Sequence, residues 1–161
     1  MFKLFHESKH QSTELLTSTL YDEHSFYKAF ARDLKRAKHS VIIESPFMTK
    51  GRVLQLVPTL NKLQKRGIGV RVNTRHPRCH DGFLYYQSWQ AAGVLREYGV
   101  KVRFYQDMRH RKLAIIDDHI LWEGSLNILS HKNSREIMRR TDSAKLCKQM
   151  IAFTGVNRWF R

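Results

Sequence analysis

The chain has 161 residues, 42% hydrophobic and 11% aromatic, with 29 Lys and Arg against 14 Asp and Glu for a formal net charge of +15. That length holds one ordinary domain, and the apolar content excludes a disordered chain. No apolar stretch approaches a membrane span, and the opening Met1-Phe2-Lys3-Leu4-Phe5-His6-Glu7 turns polar too early for a secretory leader. The expectation is an unexported, cytoplasmic protein without stable membrane insertion, its two cysteines, Cys79 and Cys147, reduced.

The charge is spread along the chain: residues 1–80 carry fifteen basic and six acidic residues, and residues 81–161 fourteen and eight. Neither half is a detachable basic tail, so the folded surface itself is positive. Such a field favours polyanions, nucleic acid first and anionic membrane surfaces second.

Residues 1–21 are polar, with short apolar pieces, and read as a lead-in that is loosely ordered or forms a short strand; residues 22–161 read as a single domain. From Asp22 to Lys38, Phe26, Phe30, Leu34 and Ala37 recur at helical spacing. Ser40 to Glu44 reads as a strand, its Val41-Ile42-Ile43 run apolar on both faces and suited to cover by helices on both sides. Val53, Leu56, Val57, Leu60 and Leu63 mark a second helix, broken or kinked at Pro58 and stopped at Gly67. Ile68 to Asn73 follows as a strand, then a helix through Leu84, Ser88, Ala91, Ala92 and Leu95 to Gly99, then a strand over Val100 to Tyr105. The repeated helix-then-strand order predicts a layered α-β-α domain with a mixed, mostly parallel central sheet.

After Asp107 the rhythm changes. Lys112 to Asp117 and Ile120 to Glu123 read as a β-hairpin around Asp118-His119, ending at Gly124. Glu136 to Arg140 reads as a further strand. Ala144 to Phe153, with Leu146, Cys147, Met150 and Ile151 at helical spacing, reads as a closing helix.

The chemistry concentrates in this second half. His110-Arg111-Lys112-Leu113-Ala114-Ile115-Ile116-Asp117 enters a predicted strand, and period-two geometry sets His110 and Lys112 on one face. An imidazole beside an ammonium suits attack on a phosphodiester: the ring nitrogen is the nucleophile, and the lysine neutralises the phosphoryl oxygens. Asp117, seven residues from His110, lies at an odd offset and is expected to support structure. Ser125 and Asn127 of Gly124-Ser125-Leu126-Asn127 share a face and offer hydrogen bonds to phosphate oxygens. Glu136 is placed to hold the second ring nitrogen of His110, as the third member of a triad does.

These spaced elements resemble the signature of the phospholipase D superfamily, His-x-Lys-x-x-x-x-Asp followed by Gly-Ser-x-Asn and an acidic residue. His110, Lys112, Asp117, Gly124, Ser125, Asn127 and Glu136 occur in that order. The strand Val41 to Phe47 and the turn from Lys65 to Val72 are also similar to the amino-terminal half of that family. The resemblance implies metal-independent phosphodiester cleavage, without a cofactor, through a covalent phosphohistidine, with His110, Lys112, Asp117, Ser125, Asn127 and Glu136 as the site residues. It also implies two copies of the motif per site. This chain holds one, so a homodimer sharing one site between two His110 side chains is expected.

Among such proteins the chain most resembles the nucleases, with DNA or RNA as substrate. Arg71, Arg75, Arg78, Arg109 and Arg111 are the expected backbone contacts, with His76 and His80 beside them, and Tyr85, Tyr86 and Trp89 are candidates for stacking on unpaired bases. His76, Cys79 and His80 are closely spaced, but no second ligand cluster accompanies them, and no metal site is expected. The alternatives are a phospholipid hydrolase or phosphatidyl transferase, and an inactive nucleic-acid-binding module.

Overall fold

The structure, a computed structural model, describes residues 17–130 and 134–156. Seven strands form one sheet in the order β1-β7-β6-β5-β2-β3-β4: β1 Thr17–Asp22, β2 Ser40–Glu44, β3 Gly69–Arg75, β4 Lys101–Tyr105, β5 Leu113–Ile116, β6 Ile120–Gly124 and β7 Ile137–Asp142. The helices are α1 Phe26–Arg36, α2 Lys50–Lys65, α3 Gly82–Glu97 and α4 Ala144–Thr154.

Alternation along the strands sorts the side chains between two layers. Val41, Ile43, Val70, Val72, Ala114, Ile116 and Trp122 join the apolar stripes of α1, α2 and α3 in the main core. Ile42, Leu113, Ile115 and Leu121 face the other way, against Cys147 and the partly buried Leu146, Met150 and Ile151 of α4. The main core is braced at Trp122, whose Nε1 donates to Asp33 at 2.9 Å while Arg140 Nε donates to the same carboxylate oxygen at 2.7 Å.

The layered α-β-α expectation holds, but the sheet is mostly antiparallel. Only β2–β3 and β3–β4 pair in parallel; β1–β7, β7–β6, β6–β5 and β5–β2 are antiparallel. Helix-then-strand alternation governs the first half alone. In the second half a tight hairpin joins β5 to β6, and β5 inserts beside β2, reversing the direction of everything beyond it. The short-strand alternative applies to the end of the lead-in, since Thr17–Asp22 is the edge strand on β7. The remainder of the lead-in, residues 1–16, lies outside the described residues. Helix α2 continues through Pro58 instead of breaking there.

Because β5 runs antiparallel to β2, and β6 and β7 alternate after it, one edge of the sheet collects five segments: the ends of β2 and β3, the approach to β5, the exit from β6 and the entry to β7. Ligands of sheets with parallel strands are commonly bound beyond the strands' carboxyl ends.

Candidate active site

His110 and Lys112 precede β5 rather than lying within it, and the β5–β6 ladder continues to them through the bond from Gly124 N to Lys112 O at 3.3 Å. Lys112 Nζ is 2.8 Å from His110 Nδ1 and donates to the His110 carbonyl, also at 2.8 Å. The exposed His110 ring meets the Phe47 ring edge to face, with centroids 5.7 Å apart. Partial desolvation, then the positive charges of Lys112 and Arg75, lower the His110 pKa below the ordinary histidine value. Desolvation also lowers the Lys112 pKa, opposed by the charge of Glu136. A lysine ammonium has only donors, so the Nδ1 it meets is a lone pair, and neutral His110 keeps its proton on Nε2.

Gly124 is fixed by packing. A Cβ there would overlap the Ile137 carbonyl oxygen and lie 2.9 Å from Met138 Cα, so only glycine lets β7 approach at this point. The next residue, Ser125, donates through Oγ to Glu136 Oε2 and accepts from Ile137 N at 3.1 Å. Ser134 Oγ donates to Glu136 Oε1 at 2.7 Å, and Glu136 N donates to Glu23 Oε2 at 3.1 Å. Glu136 therefore holds serines, and its charge is felt by Lys112; among the described residues it does not bond the His110 ring as the triad expectation had it. Asn127 is half-buried, its Oδ1 without a partner among the described residues. Its backbone carbonyl accepts from Ser130 N, and the neighbouring Ile128 carbonyl accepts from Tyr27 Oη at 3.2 Å. Burial pushes the Tyr27 hydroxyl up to about 12, so it stays protonated and able to donate.

His110, Lys112, Ser125, Asn127 and Glu136 thus share one edge of the sheet. Asp117 does not. It lies at the opposite end of β5, where its carboxylate accepts from the backbone N–H groups of Lys38, His39 and Ser40 at 2.8, 2.7 and 3.0 Å. Those bonds lower its pKa against the opposing effect of desolvation. The role is structural, as its odd offset implies, and Asp117 leaves the list of groups that meet substrate.

The five arginines part company. Arg75, buried at the end of β3, donates to the Cys79 carbonyl and depresses the pKa of both His80 and His110. Arg78 is exposed on a single 3-10 turn, Pro77–Cys79, at the same edge. Arg71 lies near the opposite edge, close enough to Asp118 to feel its charge. Arg109 and Arg111 are drawn inward to buried Glu44, instead of standing out as a basic surface, at 3.5 and 2.8 Å. Trp89 meets His76 and Phe104 edge to face yet keeps an exposed surface, as do Tyr86 and its neighbour Phe83. Among the described residues no three His, Cys, Asp or Glu side chains gather where they would hold a metal ion, and no helix is long and apolar enough to cross a membrane.

Sequence reasoning assigned no role to Glu44, Tyr27 and Glu23. Glu44 alone carried a signal, an acidic residue closing a strand otherwise apolar on both faces.

Residues 30–155 match the family described as the cardiolipin synthase, PLD-like domain, and the chain belongs to that family, within the phospholipase D superfamily. It is 36% identical over 103 residues to the mitochondrial cardiolipin hydrolase of Mus musculus, covering 60% of this chain and 41% of that protein. It is 29% identical over 111 residues to the minor cardiolipin synthase ClsB of Bacillus subtilis, covering 66% of this chain and 26% of that protein. The chain thus spans less than half the length of either relative. Among solved structures, the phospholipase D family member Nuc of Salmonella typhimurium superposes with a TM-score of 0.71 at 16% identity, over 86% of this chain and 91% of that one.

Proposed function

We propose that the protein is a metal-independent phosphodiesterase acting on DNA or RNA through a phosphohistidine at His110. The observation that supports it most is the Lys112 Nζ to His110 Nδ1 contact at the strand edge where Ser125, Asn127 and Glu136 also meet. At neutral pH His110 is neutral. An incoming phosphodiester draws the Lys112 ammonium onto its oxygens, and a ring nitrogen is then free to attack. The N–P bond forms as the P–O bond breaks, and the leaving oxygen takes a proton from an acid; water later cleaves the N–P bond.

That acid must come from somewhere. Within the chain the nearby candidate is His80, whose ring lies 5.2 Å from Phe47, but it is buried and its pKa is lowered by desolvation and then by Arg75. A neutral imidazole is a poor proton donor. His110 of a second copy is exposed, so it can meet a shared phosphodiester whose negative charge favours the protonated imidazole, a contact that buried His80 does not make; this gives a homodimer with one shared site. The net charge of +15 and exposed Arg78 at this edge favour a polyanionic chain as substrate.

A second reading, a phospholipid hydrolase or transferase, has its own observations. Both curated relatives are named for cardiolipin. A cavity of about 470 Å³ runs beside Lys112, with Leu20, Ile137, Met150 and Phe153 as apolar walls and Arg139 among its lining. The experiment compares labelled single- and double-stranded DNA and RNA with cardiolipin-containing vesicles, all in excess EDTA, using wild type and His110→Ala. Nucleic-acid cleavage by wild type alone supports the first reading; turnover of vesicles alone replaces it with the second.

A further inference from the structure

Glu44 ends β2 with no exposed surface, on the face where Ile42, Leu113 and Ile115 meet α4. Its Oε1 receives Arg111 Nε at 2.8 Å and Arg109 at 3.5 Å, from residues on either side of His110. Arg109 is also forked onto Asp107, with Nε to Oδ1 at 2.7 Å and a terminal nitrogen to Oδ2 at 2.6 Å, and its guanidinium lies 3.2 Å from the Tyr105 ring centroid. Arg111 further donates to the Thr154 carbonyl at the end of α4 at 3.5 Å. The charges alternate along Asp107, Arg109, Glu44 and Arg111, two of each sign.

We propose that Glu44 is a positioning residue for His110, acting through a two-point clamp made of Arg109 and Arg111. The inference rests on the reading of His110 as the nucleophile. Residues 106–112 belong to no helix or strand, so side chains supply much of what fixes their path. Alternation makes the clamp effective. Arg109 and Arg111 reach the α4 side of the sheet, and the intervening His110 is left to face Phe47 and Lys112 on the other side. An aliphatic residue at position 44 would fill the same space among Ile42, Leu113 and Ile115 without desolvating a charge. A buried carboxylate there serves placement better than it serves stability. Loss of the Glu44 charge leaves two guanidinium groups without their shared acceptor and lets the segment carrying the nucleophile move, and small displacements of a reacting group carry large rate penalties.

The test uses bis(p-nitrophenyl) phosphate, a phosphodiester with neither base nor acyl chain, together with imidazole NMR of His110. Glu44→Gln is expected to lower kcat about 10–100-fold, with KM within about threefold of wild type. Adding Arg111→Gln to Glu44→Gln should cost no more than the worse single change, whereas independent effects would multiply. The His110 ring signals should broaden or split in Glu44→Gln while those of distant His39 do not. Wild-type kcat with unchanged His110 signals in folded Glu44→Gln would overturn the clamp. If that variant does not fold, Arg111→Gln, whose side chain is partly exposed, carries the same two readouts. Absence of turnover by wild type would defeat the phosphodiesterase reading, and the His110 spectra would still decide the clamp.

Discussion

The two ends of β5 carry polar groups seven residues apart that have opposite fates. At one end the three N–H groups opening β2 saturate the Asp117 carboxylate, in a turn where Asp117 and Asp118 take left-handed φ values of 53° and 56°. At the other end exposed His110 meets a lysine and the edge of an aromatic ring, and desolvation and neighbouring cations disfavour its charged form. The first end spends its polar groups on closing the fold; the second keeps lone pairs and an ammonium available to an incoming anion. A four-residue strand, buried along its whole length, separates the two.

Substitutions should separate these ends as cleanly as the structure does. His110→Ala is expected to lower turnover about 10⁴-fold or more while leaving the melting temperature close to wild type, measured by single-turnover kinetics and calorimetry. Lys112→Ala should cost about 10²–10³-fold, mostly in kcat, because its ammonium meets the phosphoryl charge as that charge develops. A loss shared equally with KM would make Lys112 a docking group. Glu136→Gln, which weakens the hold on Ser125 and removes a negative charge felt by Lys112, should cost about 10-fold in kcat. Asp117→Ala inverts the pattern: unfolding free energy should fall by about 1–3 kcal/mol, with kcat within about threefold of wild type. Loss of activity without loss of stability in Asp117→Ala would erase the distinction between the two ends.

Acid separates them too. The folded pKa of His110 lies below its ordinary value of 6.5, so the acid limb of kcat/KM should be centred below 6.5. The same depression means that folding binds fewer protons at this site. Its stability contribution is full above the unfolded pKa and declines as pH falls below it. Asp107, held down to about 2 by its bonds to Arg109, keeps its end of the clamp charged throughout that range. An acid limb centred above 6.5 would contradict this account of the His110 environment.

Much of this was legible in the sequence because it was local. The stripe Phe26, Phe30, Leu34 gave α1, the Val41-Ile42-Ile43 run gave a strand covered on both faces, and the spacing of His110, Lys112, Ser125, Asn127 and Glu136 singled out residues that meet at one edge of the sheet. What escaped depended on long-range pairing. The sheet's antiparallel majority follows from β5 inserting beside β2, some seventy residues away in sequence, which no local period encodes. The inward turn of Arg109 and Arg111 is equally non-local, since a basic run reads as surface until a buried carboxylate on another strand is known to lie beneath it. Gly124 shows the intermediate case: the turn was readable, but the close approach of β7 that demands glycine was not.

The central claim, that His110 becomes covalently phosphorylated, is tested most directly by trapping. Turnover of a nucleic acid carrying ³²P at its internal phosphodiesters, in excess EDTA and quenched in base where phosphohistidine survives, should place label on the peptide containing His110 and none on the His110→Ala protein. Turnover under the same conditions with no label at His110 would contradict the account.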